Sequence, residues 1–452
     1  MFENCDLKIE NLDLYMNNFA ISIGSIVSWI SKALKLGAGA TWPGEIALRI
    51  NPQILSKLLS KITKRIIIVA GTNGKTTTTL MIKKILEDQG FSVLHNESGA
   101  NLLNGIVSAF FTNNKESYDY AVFEVDENVF PTLLSYLRTK NDELRTTIVL
   151  LNLFRDQLDR YGEVDTIAKN WLTTLKKLDK ETTVLINGDD PHLAFIGKQL
   201  NAIVSYFGLD DKTQYIPKMQ HATDTIFCPS CGNRLTFTGV YFSHLGDWKC
   251  TKCGFTHPKA TLTASHVISP LEGVYNIYNT LAATLVLETM GVDKKQIQKG
   301  LINFMPAFGR MEEVSYQEKN IKILLSKNPT GFNESLRTVL SSKQKGPMML
   351  LLNDRIPDGT DVSWIWDVDM EQLDGYRHPI IVSGDRYLDM AVRLKYGLEK
   401  MPNDKCQMIN KSLDEAVIQL TNVIQKGETG WILPTYSAML DVRKILTGKS
   451  IL

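Results

Sequence analysis

The chain has 452 residues, 44% of them hydrophobic, with a formal net charge of +1 and six cysteines. That length supports about three domains with sizeable cores, and a charge so near zero gives no bulk attraction to nucleic acid or to acidic partners. Four cysteines in two close pairs, with Cys5 and Cys406 standing alone, argue against a disulfide framework and suit a reducing cytoplasm with one metal site.

The opening residues, MFENCDLKIENLD, are acidic and polar, so no secretory signal is expected. Residues 19–36 are apolar but interrupted by Ser22, Gly24, Ser25, Ser28, Ser31, Lys32 and Lys35. This predicts a packed amphipathic helix, with at most peripheral contact at the inner face of a membrane. Residues 1–60 read as a helical lead-in to a central domain, with a turn at 37–44. Then RIIIV at 65–69 runs into AGTNGKTTTT at 70–79. A buried strand ending in a glycine loop, with a Lys-Thr pair opening the next helix, aims backbone N–H groups, a helix N-terminus and an ammonium at one spot. That arrangement suits a polyphosphate such as ATP. Lys75 is placed to reach the outer phosphates and the Thr76 hydroxyl to bind Mg²⁺, with Thr72, Asn73, Gly74 and Thr77 completing the cradle. The generic phosphate loop has a glycine five residues before Gly74, where this chain has Val69.

Strand-like segments at 92–95, 120–125, 147–153 and 183–186 alternate with helical ones at 77–89 and 166–178. Such alternation predicts a mostly parallel sheet in an α/β domain over 61–307, with ligands at the C-terminal strand ends. Glu124 ends one strand and suits Mg²⁺ beside Thr76, although with Asp126 and Glu127 it also fits a solvated acidic loop. Over 225–258 the texture changes to Cys, Gly and aromatic residues. Cys228 and Cys231, then Cys250 and Cys253, have CxxC spacing across an 18-residue spacer, and Gly232 and Gly254 follow the second cysteine of each pair. This predicts an inserted ribbon holding structural Zn²⁺ on four thiolates. Lys249, Lys252 and Lys259 beside Asp247 make a poor basic patch for nucleic acid. Asn276 and Asn279, three apart at a helix start, suit an adenine edge or N-capping equally. Arg310 is placed to clamp the γ-phosphate from a domain hinge, or is a surface residue. Strand candidates at 321–325, 348–352, 380–382 and 431–433 predict a smaller C-terminal α/β domain over 308–452.

The landmarks NESGAN (96–101), EVDE (124–127), FRDQLDRYGE (154–163), NGDDP (187–191), GVYNIYN (273–279) and GRME (309–312) follow in the order expected of Mur ligases. The compact GTNGKT loop resembles that of Mur ligases and folylpolyglutamate synthases. With the four-cysteine insert and DVSWIWD at 361–367, nearly the whole chain closely resembles the MurT family, the Mur-ligase-like subunits of lipid II isoglutaminyl synthase. The resemblance implies a central ATP-binding Mur-ligase domain and ATP-dependent amidation of the α-carboxylate of D-glutamate in the lipid II stem peptide. The product would be D-isoglutamine, formed through an acyl phosphate with Lys75, Arg310 and Mg²⁺ acting on the phosphoryl group. It implies ammonia from a GatD-type class-I glutaminase in a heterodimer, with Asp361 completing the partner's Cys-His-Asp arrangement. On residues alone, Asp361 reads as a turn or helix cap before Trp364 and Trp366. Gln157 stands where amino-acid-adding Mur ligases carry a metal-binding His, which counts against a second Mg²⁺ site. Lys169 reads as an exposed helix residue rather than a carbamylated lysine. Lys327, in SKNP at 326–329, is positioned to face a phosphate or a substrate carboxylate. The rival reading is a stand-alone amino-acid ligase of the Mur or folylpolyglutamate-synthase type.

Overall fold

The structure, a computed structural model, describes residues 3–33, 41–96, 99–137, 145–156, 163–306, 308–398 and 407–448. The side chain of Cys5, Gln157, Cys406 and the first half of the expected turn at 37–44 lie outside the described residues.

β1 (Ile62–Ala70), β2 (Val93–His95), β3 (Tyr118–Val125), β4 (Arg145–Leu150), β5 (Thr183–Asn187) and β6 (Ile203–Phe207) form a sheet in the order β2-β3-β1-β4-β5-β6. Every pairing in it is parallel. A parallel sheet needs both faces covered, and the unbroken run Ile66 to Val69 is fully buried. Alternation along β1 divides that run between two cores. Ile66 and Ile68 pack with Phe123, Leu150 and Trp171 on one side. Ile67 and Val69 pack with Val122, Val149, Met81 and Leu281 on the other, under the helices Lys75–Asp88 and Val274–Thr289.

The N-terminal helix, Glu3–Ala33, differs from the expected amphipathic arrangement. Its small residues Ala20, Gly24 and Ser28 face inward, while Phe19, Ile26 and Trp29 are exposed, Trp29 at 70%. Close packing is the cause: a Cβ on Gly24 would lie 2.6 Å from the Phe111 ring, so only a small-residue stripe fits there. Among the described residues no helix is long and apolar enough to cross a membrane.

Between β6 and the helix Val274–Thr289 lies an antiparallel hairpin, β7 (Thr236–Phe242) and β8 (Leu245–Lys249). Asp189, just after β5, joins this insert to the sheet. Its carboxylate accepts from His257 Nε2 (2.7 Å), from Tyr278 Oη (2.5 Å) and from the Leu209 N–H (2.9 Å). Burial disfavours the His257 imidazolium, but Asp189 holds that ring above the ordinary histidine range. The second sheet contains β9 (Arg310–Tyr316), β10 (Lys319–Leu324), β11 (Met348–Leu351), β12 (Ile380–Ser383), β13 (Gln407–Ile409) and β14 (Thr429–Pro434). Its order is β13-β12-β11-β14-β10-β9, parallel except for the β9–β10 hairpin. Asp189→Ala would strand the Tyr278 hydroxyl and the Leu209 amide in the interior. We expect a loss of about 3 kcal/mol of unfolding free energy in a urea titration; an unchanged midpoint would show that the insert is held by other contacts.

Candidate active site

β1 delivers the phosphate loop to the C-terminal edge of the first sheet. Gly74 adopts φ +91°, and a Cβ there would lie 2.1 Å from Asn279 Oδ1, so glycine alone fits. The helix begins at Lys75. Asn152, just past β4, clasps the loop: its Oδ1 accepts from Asn73 N–H (2.8 Å) and its Nδ2 donates to Asn73 O (3.0 Å). The Thr72 hydroxyl both donates to Phe154 O (3.1 Å) and accepts from Phe154 N–H (3.0 Å). Thr72 therefore braces the loop from behind.

Lys75 is buried and turned inward. Its Nζ contacts Gly71 O (2.5 Å) and Thr72 O (3.3 Å) and pairs with Glu127 Oε2 at 3.1 Å. Glu124, Asp126 and Glu127 are all at least 96% buried, so this segment is no solvated acidic loop. Glu124 sits beside the end of β1, its Cα paired with that of Val69. Its Oε1 accepts from Gly99 N–H at 2.9 Å, while its Oε2 is buried without a partner. An orphaned carboxylate oxygen on the strand next to buried Thr76 is a donor set that fits a hard cation such as Mg²⁺.

The cleft opens where the two sheets meet. Asn73, Gly74 and Thr77 line one side, and Asn276, Asn279 and Arg310 also line it. Asn276 and Asn279 do not cap their helix, whose N-cap is Gly273. Instead Asn279 Nδ2 donates to Asn276 Oδ1 (3.1 Å), and Asn276 Nδ2 donates to Glu272 O (2.6 Å). Both side chains are buried, and Asn279 lies directly against Gly74 of the loop. Desolvation pushes the Arg310 guanidinium below its ordinary range, and the charge of Glu124 opposes that shift. Lys327 pairs with Asp156 across the seam. Burial works against its ammonium, yet Asp156 and Glu127 hold it above the usual lysine range. Asn328 and Asn73 exchange side-chain hydrogen bonds across the same seam. Arg155 pairs with Asp224 at 2.7 Å and Asp367 at 3.0 Å, and Arg337 donates to Tyr241 O at 2.7 Å. Lys169 is exposed on the helix Val164–Leu175.

Asp361 does not line the cleft. It is exposed, and its Oδ1 accepts from Ser363 N–H at 2.8 Å in the turn that leads into a short 3₁₀ helix, which holds its carboxyl below the ordinary range. Arg393 ties that turn down by donating to Ile365 O (3.1 Å) and Val368 O (2.5 Å). At the ribbon, the sulfurs of Cys228, Cys231, Cys250 and Cys253 all lie within 4.8 Å of one another. Gly232 and Gly254 take φ of +72° and +74°, the turns that knuckles require. Backbone N–H groups of Cys253 and Lys252 bring the Cys250 thiol down to about 6, whereas burial pushes Cys228 up to about 12. Four thiols this close cannot all ionise without a cation, and one ligand atom from each completes a closed tetrahedron suited to zinc.

A family profile described as Mur ligase middle domain matches residues 69–287, and one described as MurT ligase C-terminal matches 325–439. Among solved structures, a pseudomurein peptide ligase type C from Methanothermus fervidus shares the fold, with a TM-score of 0.64 and 23% identity over 87% of this chain and 80% of that one. Fold and site define a Mur-type ATP-dependent ligase. The chain is 31% identical over 440 residues to the lipid II isoglutaminyl synthase (glutamine-hydrolyzing) subunit MurT of Streptococcus pneumoniae (strain ATCC BAA-255 / R6), covering 92% of this chain and 94% of that one. It is 32% identical over 380 residues to the subunit of the same name from Staphylococcus aureus (strain COL), covering 80% and 84%. The chain belongs to the MurT family.

Protein purified without chelator should carry about one equivalent of zinc. With Cys228 and Cys231 both replaced by Ser, we expect most of that zinc to be lost and the thermal midpoint to fall, measured by elemental analysis and calorimetry. Full loading of the variant would contradict the site.

Proposed function

We propose that this chain is the synthase subunit of a lipid II isoglutaminyl synthase and that it activates the α-carboxylate of D-glutamate in the stem peptide with ATP. One observation carries the phosphoryl-transfer part: loop residues Asn73 and Gly74 share a cleft with Arg310 from the second sheet, beside the unpartnered Glu124 oxygen. The names of the relatives support the substrate and the glutamine-hydrolysing partner.

A carboxylate is a poor electrophile because its charge is delocalised and it would have to expel oxide. In the proposed reaction, a carboxylate oxygen attacks the γ-phosphorus, the bond from that phosphorus to the ADP oxygen breaks, and an acyl phosphate results. Lys75 leaves Glu127 for the phosphates, and Arg310 offsets charge on the moving phosphoryl group. Thr76 and Glu124 would hold Mg²⁺, which neutralises phosphate charge when bound. The lone pair of ammonia then attacks the carbonyl carbon, the carbon–oxygen bond to phosphate breaks, and the nitrogen sheds a proton. Inorganic phosphate leaves with D-isoglutamine as product.

Ammonium cannot attack, so unprotonated ammonia must be delivered locally. In this reading a GatD-type glutaminase supplies it and docks against the face bearing Asp361. That residue's exposure, with Ile356 at 89% and Trp366 at 50% flanking it in sequence, supports the docking. Outside the protein, Asp361 would orient the partner's imidazole and stabilise its protonated form. The exposed Phe19, Ile26 and Trp29 support peripheral contact with the membrane that holds a lipid-linked substrate.

Lys75→Ala should lower amidation by roughly 100-fold or more. Adding Glu127→Gln should recover the stability lost with the ion pair without recovering turnover, which separates chemistry from folding. Wild-type rates in either variant would refute the loop assignment. In the two-subunit complex, Asp361→Asn should silence the glutamine-driven reaction and spare the reaction driven by ammonium salt at alkaline pH. Equal loss by both routes would remove Asp361 from the glutaminase site.

A further inference from the structure

Two polar side chains in the cleft keep side-chain oxygens that are not satisfied by close hydrogen bonds. Thr330 and Glu334 lie four residues apart on the helix Pro329–Ser341, hence on one of its faces, and both line the cleft with Asn276 and Asn279. Thr330 is 1% exposed and Glu334 2%. Thr330 Oγ1 and both carboxylate oxygens of Glu334 lack a hydrogen-bond partner. Arg337 Nη1 stands 3.7 Å from the carboxylate, beyond bonding distance, because that guanidinium is committed to Tyr241 O and Gln214 O. Glu334 also borders a second cavity, whose walls include Gly273, Ile277 and Arg337 and no residue of the 71–77 loop.

A buried carboxylate without donors costs several kcal/mol in an apolar setting, so an orphan of this kind calls for an explanation. Phosphate is excluded as its ligand, since two anions would repel. What remains of a nucleotide is the nucleoside, which is neutral and carries hydroxyl and amino donors. We propose that Glu334, assisted by Thr330, recognises the nucleoside part of the bound nucleotide by accepting hydrogen bonds from its ribose hydroxyls or its base amine. The proposal rests on the nucleotide reading of the cleft. In that reading the phosphates lie at the Lys75 loop, Asn276 and Asn279 line the cleft with Asn73 and Gly74, and Glu334 borders both the cleft and the second cavity. Burial pushes the Glu334 carboxyl up to about 7, with Arg337 and Gln220 offsetting this in part. A site built to accept such donors rejects analogues lacking them, because its own oxygens are then left unpaired.

The test is calorimetric titration of the full-length chain with ATP, with 2′,3′-dideoxy-ATP, which lacks both hydroxyls, and with purine riboside triphosphate, which lacks the amine. Wild type should bind ATP at least about tenfold more tightly than one of the two analogues. Glu334→Gln should weaken ATP by a similar factor and bind ATP and that analogue alike. The analogue that loses affinity identifies the donor. Thr330→Val provides the same comparison if Glu334→Gln does not fold. Undiminished discrimination in the variants, or equal binding of all three nucleotides by wild type, overturns the proposal and leaves the nucleotide site standing. Wild type that binds no nucleotide overturns the reading of the cleft itself.

Discussion

Opposite charges kept dry at the junction of two sheets are what the rest of this structure serves. Lys75 pairs with Glu127, Lys327 with Asp156, and Arg310 lies in the field of Glu124. Ions in such a place are tolerable only when paired, and unpairing one is strongly destabilising. In the proposed reaction, these carboxylates hold the cations that an incoming polyphosphate would take over. Preorganisation of this kind places the electrostatic cost in the fold instead of in the reaction. It also explains why elements far apart in the chain are braced to one another with so many directional bonds, from Asn73 and Asn328 to Arg337 and Tyr241.

Asp189 bonds to His257 of the insert and to Tyr278 of the helix that carries Asn276 and Asn279. The insert thus supports the wall of the cleft and presents no catalytic position of its own, as expected of a site with all four ligands from protein. Asp361 has the opposite character. Its turn is anchored from below by Arg393 while its carboxylate stays exposed.

Local chemistry was legible in the sequence; pairings between distant segments were not. RIIIV followed by GTNGKT specifies a buried strand, a tight loop and a helix start, because hydrophobic run, glycine conformation and helix opening are all short-range. The CxxC pairs announced their cluster for the same reason. Glu127 as the partner of Lys75 lies 52 residues away, and Asp156 as the partner of Lys327 lies 171 away, so no spacing rule reaches them. Asn276 and Asn279 suit capping and an adenine edge equally by spacing, and only the approach of Gly74 shows Asn279 facing the loop. Which face of the N-terminal helix packs inward is not legible in hydropathy, which gives no sign that Phe111 demands small residues opposite it. Glu334 carried one available signal, a carboxylate three residues after Gly331 in a helix starting beside SKNP, but nothing marked it as buried.

If the seam exists to hold a phosphoryl group between a carboxylate and ADP, the oxygen lost from that carboxylate must leave as part of inorganic phosphate. Lipid II carrying oxygen-18 in the α-carboxylate of its D-glutamate, turned over by the complete two-subunit enzyme with ATP and glutamine, follows that atom by mass spectrometry. One labelled oxygen in phosphate for every amide formed is the result this account predicts. Amide formed with unlabelled phosphate would contradict it.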